Sequence, residues 1–259
     1  MHAENKMRRA CLPVMVCALG LLCGGGASAE SAASGPAKLA RSMAPPLGVP
    51  AAESVAQGGQ ALPTPVIRPR SDVGRSGGPL TPQQKALIER INLYLTSVQT
   101  LFGDFVQVGP DGTRSEGKFY LQKPGRMRFE YDDPSPLELI ADGTSVAIRD
   151  RKLATQDLLL LSQTPLRFLL SDRIDLFREG NLVSVQADDT FVTLTLEERQ
   201  TIGGTHRLSL MFSAKDLALK QWTVTDPKGY DTTVALYNVD VGKKLDPDLS
   251  KINYERMRN

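Results

Sequence analysis

From Thr81 onward the apolar positions change period once, and the change separates a helix from a sheet. Thr81-Pro82-Gln83-Gln84 has the form of a helix start: a hydroxyl that can cap, a proline at the first helical position and a glutamine placed to complete a capping box. Leu87, Ile88, Ile91, Tyr94, Leu95 and Val98 then recur at three- and four-residue steps, with Lys85, Glu89, Arg90 and Asn92 largely off that stripe. After Thr100 the period falls to two. Strands are expected over 101–108, 117–123, 126–131, 137–141 and 145–150, separated by Gly109-Pro110-Asp111-Gly112, Pro124-Gly125 and Asp142-Gly143. Met127, Phe129 and Tyr131 share one face and Arg126, Arg128 and Glu130 the other, which makes one apolar and one wet side. Glu179-Gly180-Asn181, Gly203-Gly204, Ala214-Lys215-Asp216 and Asp226-Pro227-Lys228-Gly229 punctuate the rest, so the sheet reads as an antiparallel meander.

One stretch interrupts the alternation. Asp157-Leu158-Leu159-Leu160-Leu161 runs into Thr164-Pro165, a cap-plus-proline helix start, and Leu166, Phe168, Leu169 and Leu170 follow, so a second short helix is expected there. Such a helix can plug the end of a barrel or act as a movable lid; both carry the same apolar pattern.

The N-terminal part has a different composition. Lys6, Arg8 and Arg9 precede an apolar stretch over 10–23 and then Ala27-Ser28-Ala29, the three parts of a secretory signal, so residues 1–29 are expected to be removed on export. Cys23 leaves a second reading open, a lipidated cysteine, against which stands the large Leu22 before it. Residues 30–80 are rich in Ala, Pro, Gly and Ser and poor in long apolar side chains, which predicts a disordered tether before a folded domain at 81–259.

Cleavage at Ala29 would change both charge and chemistry. It takes three of 31 basic and one of 29 acidic residues, leaving 28 of each, and a neutral chain lacks the field that drives binding to a phosphate backbone. Nucleic acid is therefore not expected as a partner. All three cysteines (Cys11, Cys17 and Cys23) leave with the signal, and His206 becomes the one remaining histidine. Neither a zinc site nor a Ser-His-Asp arrangement finds its residues. Asp132-Asp133, Asp188-Asp189 and Glu197-Glu198 are adjacent pairs, which a strand would send to opposite faces rather than to one shared proton. No nucleophile elbow, P-loop or dinucleotide fingerprint occurs, so a binding protein without a cofactor is expected rather than an enzyme.

The run from Gly117 to Tyr131 (Gly117-Lys118-Phe119-Tyr120-Leu121-Gln122-Lys123-Pro124-Gly125-Arg126-Met127-Arg128-Phe129-Glu130-Tyr131) resembles the LolA family of periplasmic lipoprotein carriers. Its mark is a strand that opens on glycine and ends in basic residue and proline, followed by an aromatic-rich strand and a proline, here Pro134. The likeness extends through Leu139-Ile140-Ala141-Asp142-Gly143 and Thr164-Pro165-Leu166, and back to Phe105-x-Gln107. It implies a mainly β fold: an incomplete, open antiparallel β-barrel with an N-terminal helix and a short lid helix around an apolar cavity. The same resemblance implies that Leu95, Met127, Phe129, Tyr131, Leu139, Val146, Ile148 and Leu166 line that cavity. The basic residue before the proline is an arginine in the best-known carriers and Lys123 here, which replaces a planar fork to lid carbonyls by a point charge. Acylated lipoproteins would be the cargo, an inner-membrane ABC-type releasing complex the donor, and the periplasm the working place of a monomer. A carrier and a sensor or scaffold that binds without handing on remain alternatives at this stage.

Overall fold

The computed structural model describes residues 63–65, 79–178, 181–200 and 204–257. The expected signal and most of the expected tether lie outside the described residues. Helix α1 (Pro82–Ser97) is followed by strands β1 (Thr100–Val108), β2 (Arg114–Gln122), β3 (Arg126–Tyr131), β4 (Leu137–Asp142), β5 (Ser145–Asp150) and β6 (Thr155–Leu160). A short helix α2 (Arg167–Leu170) precedes β7 (Asn181–Ala187), β8 (Phe191–Gln200), β9 (Gly204–Ser213), β10 (Leu219–Thr225) and β11 (Asp231–Val241). The eleven strands form one antiparallel sheet in the order β6-β5-β4-β3-β2-β1-β11-β10-β9-β8-β7.

Each half of that order is a meander, but the halves join through β1 and β11, which no turn connects. The expectation of a single meander is corrected by this pairing, in which Phe105 lies opposite Leu236 and Val106 opposite Ala235. Strands β6 and β7 follow one another in sequence yet sit at opposite ends of the order, so the sheet is open. It also curls. Phe129 on β3 and Trp222 on β10 are four strand spacings apart, about 19 Å along a flat sheet, yet their ring centroids lie 6.1 Å from each other.

Helix α1 forms as its start signal requires. Thr81 and Gln84 exchange both capping-box hydrogen bonds, at 2.9 and 3.2 Å, and Ile88, Ile91 and Leu95 bury the predicted stripe. The side-chain amide (Nε2) of Gln84 also donates to the Val185 carbonyl at 3.3 Å, which fixes the N-terminal end of α1 to the edge strand β7. The second helix is shorter than the leucine run suggests. Asp157 to Leu160 belong to β6, where Leu159 lies opposite Val146 and Leu158 opposite Ala147, so ladder pairing overrides the local helical pattern. Thr164 does not cap α2 either. Its hydroxyl donates to the Leu161 carbonyl at 2.9 Å, within the turn that leads to the four-residue helix.

Apolar side chains of the inner face join those of α1 and α2 in one cluster. On the outer face, the segment after β11 runs across β3 to β6. Arg128 donates to the Leu249 carbonyl, Gln156 to that of Asn253, and Ile252 packs on Ile140 and Ala147. Beneath it Glu138 is held between Arg128 and Arg149.

The glycine that opens the Gly117 motif has a steric cause. Gly117 lies between Phe105 on β1 and Tyr131 on β3 in the register, and the two rings meet across it with centroids 5.0 Å apart. A Cβ at Gly117 would stand 1.9 Å from the Glu130 carbonyl oxygen and 2.9 Å from the Phe105 ring. Gly117→Ala is therefore expected to lower stability by about 1–3 kcal/mol, as overpacking of a filled core does. Urea unfolding at equilibrium checks this, and a variant as stable as the wild type would refute the steric reading.

Candidate functional site

The eight residues that the family resemblance assigned to the cavity come from five parts of the chain: Leu95 from α1, Met127, Phe129 and Tyr131 from β3, Leu139 from β4, Val146 and Ile148 from β5, and Leu166 from the approach to α2. The fold brings all eight into one apolar cluster. Seven are buried, with exposures of 0–7 %, and Ile148 is partly buried against them. Phe129 is central, with its ring edge-on to Phe105 at 4.8 Å, stacked on Phe119 at 5.9 Å and edge-on to Trp222. Phe105, Phe119 and Trp222 thus belong to the same surface, although the motif did not assign them to it. The alternation Phe105-x-Gln107 and Phe119-x-Leu121 could have found the first two; Trp222 becomes a neighbour only through the curl of the sheet.

Polar groups also reach the inner face. The Tyr131 hydroxyl donates to the side-chain oxygen of Gln107 at 2.8 Å, with both residues buried. Burial raises the pKa of the Tyr131 hydroxyl well above its ordinary value, and the bond to Gln107 offsets part of that shift. The phenol therefore stays neutral and keeps a proton to donate. A buried tyrosine needs such a partner, which is the physical content of Gln107 in the motif.

Lys123, Pro124 and Gly125 form the turn between β2 and β3, and three hydrogen bonds leave it. The Lys123 ammonium donates to the Leu95 carbonyl, one of the last four of α1, which have no partner inside the helix. Its charge sits at the negative end of the helix dipole. The Lys123 backbone N–H donates to the Gln99 carbonyl at 2.8 Å, and that of Gly125 to the Leu170 carbonyl, at the end of α2, at 2.9 Å. This one turn therefore holds the C-terminal ends of both helices. The sequence singled out Lys123 as a lid contact; the structure gives the side chain to α1 and leaves α2 to a main-chain bond. Gly125 has φ +73°, and a Cβ there would stand 2.6 Å from the Gly143 Cα, so the two glycine turns pack backbone to backbone. Burial pushes the Lys123 ammonium down to about 8 from 10.5, against the opposing pull of Asp172.

At its other end α2 is held by charge. Arg167 pairs with Glu198 on β8, and its guanidinium lies 4.3 Å from the Phe168 ring centroid. Across the β8–β9 ladder Glu198 faces His206. Among the described residues neither the second carboxylate oxygen of Glu198 nor Nδ1 of His206 has a hydrogen-bond partner. Burial lowers the pKa of His206, while Glu198 and Asp226 pull it back up. Among the described residues no group of three or more His, Cys, Asp or Glu side chains could hold a metal ion, and no helix is long and apolar enough to cross a membrane. What the arrangement offers is apolar surface under two helices tied down by a few polar bonds.

The chain is similar to known proteins by sequence. Residues 96–253 match the family described as outer membrane lipoprotein carrier protein LolA. The outer-membrane lipoprotein carrier protein of Chromohalobacter salexigens is 29 % identical over 187 residues, covering 68 % of this chain and 87 % of that protein. That of Methylococcus capsulatus is 28 % identical over 169 residues, covering 62 % and 80 %. Among solved structures, a LolA superfamily protein from Nitrosomonas europaea aligns with a TM-score of 0.36 at 9 % identity, over 64 % of this chain and 98 % of that one. Since the matched region takes in every strand of the sheet and the turn that anchors both helices, this chain belongs to the LolA family of outer membrane lipoprotein carrier proteins.

Proposed function

We propose that this protein works in the periplasm as a lipoprotein carrier, sheltering acyl chains between the inner face of its sheet and the two helices. It takes its cargo from an inner-membrane ABC-type releasing complex and moves it toward the outer membrane. The observation that carries this reading is the apolar cluster around Phe129, covered by helices rather than by a second sheet. Each CH2 withdrawn from water contributes about 0.8 kcal/mol, so an acylated polypeptide needs such shelter to cross an aqueous compartment.

In the structure the cluster is closed on its own side chains, so room for acyl chains requires the helices to move outward. Among the described residues the polar bonds that hold them include Lys123 to Leu95, Gly125 to Leu170, Gln84 to Val185, Tyr94 to Leu219 and Arg167 to Glu198, while Thr96 and Asn92 of α1 hold the segment after α2. A lid of modest local stability suits a protein that must also release what it binds. Adding the protein to spheroplasts should release an inner-membrane-bound lipoprotein into solution. Binding without release would assign the fold to a sensor or scaffold instead.

Two variants test the parts. Phe129→Glu places a carboxylate where acyl chains would lie. If the helices lift away readily, the charge finds water, and the variant should keep most of its thermal stability while losing displacement of a fluorescent fatty-acyl probe. A variant that unfolds outright, beside a wild type that binds no probe, would show that the cluster is only a core.

Lys123 gives a pH dependence whose sign follows from its lowered pKa. Below about pH 8 both folded and unfolded states hold the proton and the cost of burying the charge is fully present. Between about 8 and 10.5 the unfolded chain binds the proton and the folded one has released it, so stability rises with pH. Urea unfolding of the wild type and Lys123→Met should therefore diverge in favour of the wild type from pH 8 to pH 10; a constant difference would contradict the buried, charged state.

A further inference from the structure

Taking α2 as the movable cover of the cargo cavity, as the proposed function requires, we propose that His206 is a proton-operated latch on that helix. As an imidazolium it sets a second positive charge against Glu198, the carboxylate that holds Arg167, and so frees the Arg167 end of α2.

Alternation along two strands brings the groups together. Glu198 follows Val192, Leu194 and Leu196 on the inner face of β8, His206 precedes Leu208, Leu210 and Phe212 on that of β9, and the two residues are partners in the ladder. Arg167, the first residue of α2, pairs with one oxygen of Glu198. The other carboxylate oxygen and Nδ1 of His206 are both buried and, among the described residues, without a hydrogen-bond partner. His206 is 2 % exposed, which favours its neutral form in the closed molecule.

Protonation changes the balance of charge at this point. Beside a neutral imidazole Glu198 serves Arg167; beside an imidazolium it is shared by two cations that repel each other. Asp226, in the turn after β10, also attracts a charged His206. It accepts from the Lys228 and Tyr230 N–H groups at 2.9 and 2.8 Å, so it stays with its turn and offsets the new charge only in part. Arg207, next to His206, pairs with Glu197 on the outer face. Burial holds the pKa of His206 below its ordinary value, against the pull of Glu198 and Asp226. A proton therefore binds better once the imidazole meets water, and acid favours the lifted helix. Gly125 keeps the Leu170 end, and Thr96 and Asn92 keep the segment beyond it, so α2 swings from one end.

The test is hydrogen exchange in the whole exported chain at pH 7 and pH 5.5, read as protection factors so that the intrinsic effect of pH on exchange is removed. His206 is the one histidine beyond His2, and this range is where an imidazole titrates. The Leu169, Leu170 and Ser171 amides bond within the single turn of α2, which has no stability of its own once it leaves the sheet. Their protection should fall at least about threefold at pH 5.5, as a proton gained on opening requires, and stay level in His206→Gln. Arg167→Gln, which lacks the bond to be weakened, should be poorly protected at both pH values. Constant protection in the wild type, or a wild-type response in either variant, would overturn the proposal. A fluorescent fatty-acyl probe separates the latch from the carrier reading. Probe uptake beside constant protection would remove the latch and leave the carrier; a His206-dependent fall in protection without uptake would keep the latch and remove the carrier.

Discussion

The one-piece sheet depends on the pairing of β1 with β11. Asp104 and Asn238, joined by a hydrogen bond of 2.7 Å, are 134 residues apart in sequence, and closing a loop of that size costs about 4 kcal/mol of chain entropy beyond the constant part. No turn can specify such a pairing. It is stabilised by what the paired strands carry inward: Phe105 on β1 meets Phe129 and Tyr131 of β3, and Phe129 meets Trp222 of β10. The curl of the sheet and the joining of its halves are thus one event. Rings that would be far apart on a flat sheet come into contact only when the ladder between β1 and β11 is complete.

Gly117 and Lys123, at either end of one strand and its turn, then serve different needs. The missing side chain of Gly117 lets two rings close over the backbone, which is a matter of volume. Lys123 ends a helix that stops short of satisfying its own carbonyls, which is a matter of unpaired acceptors and charge. Their spacing in the motif follows from the geometry of β2, which carries the inner face at one end and reaches the helices at the other. That explains why a short stretch of sequence bears so much of the family likeness: it touches the sheet, α1 and α2 within a few residues.

Much of this was legible in the sequence, and the reasons differ from element to element. The capping box of α1 and the alternation around Phe129 are local patterns, and both appear in the structure as the residues imply. The leucine run at 157–161 was misleading because a strand at the edge of a sheet and a short apolar helix share the same composition; only the partner strand β5 decides between them. Trp222 could not be assigned to the inner face beside Phe129, since alternation gives a face but not a distance across a curled sheet. Gln107 was visible in the motif, yet its role needed the buried Tyr131 hydroxyl as partner. The division of labour at the Lys123 turn, side chain to one helix and main chain to the other, depends on three-dimensional placement that no spacing encodes.

The position of α2 in the chain has a kinetic consequence. The twenty residues between β6 and β7 are anchored at both ends by strands on opposite edges of the open sheet. A lid grafted at a chain terminus would diffuse away once its bonds broke. In the opening proposed for cargo this segment would be a bridge whose two piers stay standing, so once lifted it would search only a small volume before finding its seat again. Reclosure is then a local event of loop dynamics, far faster than any rearrangement of the ladder. Opening of the proposed kind would leave the sheet beneath intact.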